Sequence, residues 1–88
     1  MIKGPISLRD RVVAFIEWLD VKLDGQLTDD TSLIQSGLFD SMALVQLAEW
    51  IEREIGRPLD PTRFDLSREW DTIPSIVNFI ERRMGERS

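Results

Sequence analysis

Asp40 and Ser41 are the neighbours in this chain best placed to carry chemistry. They stand where a polar stretch meets a long amphipathic one, in Gly37-Leu38-Phe39-Asp40-Ser41-Met42. A serine hydroxyl becomes a nucleophile only with a general base in reach. The chain has no histidine and no cysteine, and its lysines, Lys3 and Lys22, are far away in sequence. Catalysis by Ser41 is the weakest option, and the chain is not expected to be an enzyme. Two other roles fit the position. A serine or aspartate at a helix start accepts a backbone N–H and stabilises by about 0.5–2 kcal/mol, a part Asp40 can also play. A phosphate held covalently on Ser41 would meet free N–H groups and the positive end of the helix dipole. Physical chemistry alone leaves cap and modification site both open.

The elements that must position this pair read as helices. No useful length of chain alternates in the manner of a strand. Ser7-Leu8-Arg9-Asp10 resembles a capping box with aspartate in the glutamate role. From there Leu8, Val12, Phe15, Ile16, Leu19 and Leu23 recur at helical steps until Asp24-Gly25. A polar stretch from Gln26 to Gln35 follows, and Leu27, Leu33 and Ile34 are expected to tack it to the core. The second helix is predicted over Ser41 to Ile55, with Gly56 at C′ and Pro58 beyond it. Asp60-Pro61 predicts an N-cap and N1 proline opening a short third helix to about Leu66. A last helix is predicted from Asp71-Thr72, with Ile73, Ile76, Val77, Ile80 and Met84 facing inward and Gly85 at its end. Arg82 and Arg83 suit the negative end of its dipole.

On the second helix the pattern has two sides. At 100° per residue from Ser41, the residues Leu44, Leu47, Ala48, Ile51 and Ile55 fall between about 240° and 340°, a core-facing stripe. Met42 and Val45 lie beside Ser41 instead, near Gln46, Glu49, Glu52 and Arg53. They form an apolar patch ringed by charge that is a candidate docking surface. The plainer reading is that single exposed apolar residues are ordinary.

Composition sets the outer limits. Eighty-eight residues, 42% hydrophobic and 31% charged, make one domain over 1–88, with residues 1–6 and 86–88 expected to be flexible ends. Without cysteine there is no disulfide framework or thiolate chemistry, so a cytoplasmic location is expected. The longest apolar run, Val12 to Ile16, is too short for a membrane span, and the N-terminus lacks a signal-peptide pattern. A net charge of −5 repels a phosphate backbone and disfavours nucleic acid as a partner. Trp18, Trp50 and Trp70 are expected in or beside the core, with Trp50 the one off the main stripe. Asp20, Asp24, Asp29 and Asp30 lack an EF-hand pattern and read as a solvated loop.

The stretch Asp30-x-x-Leu33-x-x-x-Gly37-Leu38-Phe39-Asp40-Ser41-Met42 resembles the attachment motif of the acyl carrier protein family. The likeness extends through Ile55-Gly56, Pro61 to Leu66 and Trp70-Asp71-Thr72-Ile73, and so covers roughly residues 8 to 84. It implies an all-α four-helix bundle of three long helices and one short one, with a long loop between the first two. It also implies a 4′-phosphopantetheine arm moved from coenzyme A onto Ser41 by a phosphopantetheinyl transferase, with Asp40 as motif neighbour. The arm's thiol would carry acyl or aminoacyl groups as thioesters, loaded by an adenylating ligase and passed to a downstream acyl transferase or synthase. Phe64-x-x-x-x-x-Trp70-x-Thr72 is similar to a passage of stand-alone D-alanyl carrier proteins. Ala43 and Gln46 stand where fatty-acid carriers often have acids, which shifts the expected docking residues to Met42, Val45, Glu49 and Glu52. A monomer is expected. The rival reading is a helical interaction module in which Ser41 is only a cap.

Overall fold

The computed structural model describes residues 7–19 and 27–85. Among them are four α-helices and no strand: α1 (Leu8–Trp18), α2 (Ser41–Ile55), a 3₁₀ turn (Pro61–Arg63), α3 (Leu66–Glu69) and α4 (Ile73–Gly85). The fold is the expected all-α bundle of three long helices and one short one. The central element is α4, which packs against α1, α2 and α3. Its Ile73, Ile76, Phe79 and Ile80 meet Val12 and Ile16 of α1 and Leu47, Ile51 and Ile55 of α2 in one buried cluster.

Local signals set most helix ends. The Ser7 hydroxyl accepts the Asp10 N–H at 3.1 Å and opens α1. That helix spans Leu8–Trp18 with Leu19 as its C-cap. Leu23 and Asp24-Gly25 lie outside the described residues. For α2 the predicted bounds hold: Asp40 caps it by accepting the Ala43 N–H at 2.8 Å. Gly56 closes it in the left-handed region at φ 77°, where a Cβ would be strained.

The third helix differs from its prediction. Asp60 caps only the 3₁₀ turn, through the Thr62 N–H at 3.0 Å and the Thr62 hydroxyl at 2.6 Å. Phe64 is then extended, which sets its ring against Trp70 and Phe79 at 5.3 and 4.9 Å. A second cap, Asp65, accepts from the Ser67 N–H and hydroxyl and starts α3 at Leu66, the position where the predicted helix ends. Two Asp-x-Thr/Ser caps in succession split one expected helix into two turns.

Two facing assignments also change. Met84 shares the inward direction of Ile73 and Ile80 but is 44% exposed. Phe79 is the α4 core residue that the expected set omits. In α2, Ala43 is buried while Leu44 and Ala48 are half-buried, so the core face is rotated toward Ala43. The tryptophans divide as well. Trp70 is buried and Trp50 is half-buried, stacked on Phe15 at 5.0 Å. Trp18 departs from the expectation: it is 69% exposed, on the other side of Phe15 at 5.8 Å. Its stacking partner lies on its own helix one turn back, so the pair does not need burial to form.

Leu33 holds the loop as expected, fully buried, with Leu27 and Ile34 packed against the same cluster. No helix among the described residues is long and apolar enough to cross a membrane.

Candidate functional site

Ser41 is the first residue of α2 and is exposed. Because Asp40 takes the capping bond, the Ser41 hydroxyl is left without a hydrogen-bond partner among the described residues. Ala43 donates its N–H to the Asp40 carboxylate, and Leu44 donates to the Asp40 carbonyl at 3.0 Å. The N–H groups of Ser41 and Met42 have no acceptor among the described residues and stand at the positive end of the helix dipole. An exposed hydroxyl beside two such donors suits a covalently attached phosphate.

Met42 and Val45 are 66% and 54% exposed, placed beside Ser41 as the helical pattern predicts. Glu49 is exposed on the same side. Glu52 also works within the fold, since its carboxylate accepts the Leu59 N–H at 2.8 Å and ties the segment after α2 back onto the helix. Between α2 and that returning segment runs a groove of about 290 Å³. Leu44, Val45 and Ala48 form one wall, Leu59, Phe64, Leu66 and Trp70 the other, with Glu49 and Glu52 also on the α2 side. Its α2 wall begins one helical turn from Ser41. The sequence signal for it is thin. Ala48 sits at the edge of the apolar stripe and Leu44 within it, and their facing partners come together only through the 59–70 segment.

Trp70, on the far wall of this groove, is buried. Its indole N–H is the one buried side-chain polar atom without a partner among the described residues. Such an orphan costs about 1–3 kcal/mol. An exposed serine at a helix mouth beside an apolar groove suits the attachment of a flexible arm.

No group of three acids that could hold a metal ion is gathered among the described residues. Asp29 instead pairs with Arg9, while Asp20 and Asp24 lie outside the described residues. Asp60, open to solvent at the far end of α2, is held below the usual carboxylate range mainly by the Thr62 hydroxyl and N–H.

Comparison with known proteins agrees with this geometry. The family model described as "phosphopantetheine attachment site" matches residues 12–80. That span includes all of α2, both short turns and α4 through Ile80. No curated protein and no solved structure matched the chain.

Proposed function

The chain belongs to the phosphopantetheine attachment family, a family of carriers whose cofactor is covalent 4′-phosphopantetheine, and we propose that Ser41 is the residue that bears the arm. The observation that carries this reading is the division of labour at the mouth of α2. Asp40 caps the helix, so Ser41 is exposed and uncommitted. A phosphopantetheinyl transferase would join the Ser41 oxygen to the arm's phosphate, with the nucleotide half of coenzyme A leaving. The arm's thiol then supplies thioester chemistry that a chain without cysteine cannot. The protein's own part is to hold Ser41 outward, to offer the Ser41 and Met42 N–H groups to the phosphate, and to present the tethered cargo at high effective concentration.

The finer reading is that the cargo is an acyl or aminoacyl group, loaded by an adenylating ligase and taken up by an acyl transferase or synthase. The aminoacyl version rests on the resemblance of the Phe64 to Thr72 passage to D-alanyl carrier proteins. In the fold Phe64 and Trp70 also pack on each other, and the Thr72 hydroxyl accepts the Ser75 N–H at 3.3 Å in the first turn of α4. Met42, Val45 and Glu49, with Glu52 in its double role, form the proposed contact face for these enzymes.

Co-expression with a broad-specificity phosphopantetheinyl transferase, followed by intact-mass measurement, tests the assignment. Wild type should gain the mass of one phosphopantetheine, and Ser41→Ala should gain none. An unmodified wild type in the presence of a competent transferase would sink it.

A further inference from the structure

Thirty residues beyond Ser41, one carboxylate fastens the loop that leads to it. Asp71 stands just before α4, and one of its oxygens accepts the N–H groups of Ile34 at 2.9 Å and Gln35 at 3.0 Å. The Ser32 hydroxyl lies 2.8 and 3.0 Å from the two carboxylate oxygens. The Asp71 backbone carbonyl takes the Leu33 N–H at 2.6 Å. Close by, the Gln35 side-chain amide donates to the Ser67 carbonyl at 2.9 Å.

From these anchors the bonding runs on toward the serine. The Ile34 carbonyl accepts the Gly37 N–H at 3.0 Å, and the Leu33 carbonyl accepts the Phe39 N–H at 2.8 Å. Gly37 turns the chain at φ 83°. Phe39 is buried, and Asp40 follows it directly as the cap of α2. A chain of hydrogen bonds thus connects the start of α4 to the residue before Asp40-Ser41.

We propose that Asp71 is a positioning residue for arm transfer: it holds residues 32–39 in the form that a phosphopantetheinyl transferase recognises around Ser41. The proposal rests on Ser41 as the attachment residue. It goes beyond that reading by giving a distant acid a part in how the serine is presented. The effect works through populations. When a loop is binding-competent only part of the time, the apparent dissociation constant rises by the inverse of that fraction. Removing the acceptor of two backbone N–H groups and a hydroxyl lowers that fraction while leaving Ser41, Met42 and Val45 in place. The loss should appear in KM, since the chemical step at the Ser41 oxygen is unchanged once the complex has formed.

The test is transferase kinetics with coenzyme A saturating and the carrier varied. Asp71→Ala should raise KM for the carrier about tenfold or more with kcat within about twofold. Asp71→Asn, which keeps an acceptor oxygen, should fall between it and wild type. Should the alanine variant fail to fold, Asp71→Asn and Ser32→Ala carry the measurement. Ile76→Val, a conservative core change that removes none of the Asp71 hydrogen bonds, serves as a control that loses stability without moving KM. Amide exchange gives a readout independent of the transferase: Gly37 and Phe39 should exchange faster in Asp71→Asn while Ile80 in α4 does not. A KM for both Asp71 variants equal to wild type, or a rise matched by Ile76→Val, would overturn the proposal. Absence of any modification of wild type at Ser41 is a different result, and it would remove the attachment reading itself.

Discussion

Asp40 and Ser41 separate two roles that either could have performed at the start of a helix. The carboxylate takes the Ala43 N–H, and the hydroxyl is left outward. Asp40→Ala should therefore cost about 0.5–2 kcal/mol of stability, and Ser41→Ala no more than about 0.5 kcal/mol. Urea denaturation of the two variants checks this, and equal losses would contradict the division. Asp71 is the residue whose charge matters most to the loop. Burial pushes its carboxyl up, and hydrogen bonds from Gln35, Ile34, Ser32 and Leu33 overcome that and hold it below the ordinary carboxylate value. The folded state thus binds this proton less readily than the unfolded chain. The resulting stability is present above the unfolded value of about 3.9 and is lost as pH falls through the lower folded value. The stability gap between wild type and Asp71→Asn should be widest at neutral pH and narrow from about pH 5 downward. A gap that stayed constant over that range, in urea titrations at successive pH, would contradict the hydrogen-bonded carboxylate.

At the scale of elements, α2 presents one face to the core and another to partners. Its bounds were legible because the signals lie next to each other in sequence: Asp40-Ser41 before the apolar stripe, Gly56 and Pro58 after it. The outward position of Met42 and Val45 followed from the same period. Less legible was everything that depends on the segment after α2. Asp60-Pro61 announces a helix start, but Asp65-Leu66-Ser67 announces another a few residues later. The Asp65 cap, together with the packing of Phe64 on Trp70 and Phe79, breaks the chain between them. The groove was barely legible, because Leu59, Phe64, Leu66 and Trp70 meet α2 only through that broken segment. The outer face of α2 makes its own prediction. Met42→Lys and Val45→Lys should leave the thermal midpoint nearly unchanged, since surface substitutions cost about 0.5 kcal/mol or less. Each should raise the KM of the transferase for the carrier. An unaltered KM in the double variant would remove this face from the interaction.

Over the whole molecule, α4 is the element on which the others depend, and it carries the buried Ile73, Ile76, Phe79 and Ile80. Periodicity found three of these four and wrongly added Met84, because a helical wheel gives direction and not whether a neighbour reaches that far. Ile80→Ala should cost about 2–5 kcal/mol, and α1, α2 and the loop should melt together with α4. A single cooperative transition, with calorimetric and van't Hoff enthalpies equal, is expected for a one-domain chain. Two resolved transitions would contradict that unity. The acidic balance of the chain, −5, suits docking on basic surfaces of larger enzymes.

The central claim is that Ser41, and no other hydroxyl, carries the arm. Incubation of the purified chain with coenzyme A and a phosphopantetheinyl transferase, then peptide fragmentation by mass spectrometry, tests it most directly. One added phosphopantetheine is expected on Ser41 and none in Ser41→Ala. An arm located on Ser36 or another hydroxyl, or persisting in Ser41→Ala, would contradict it.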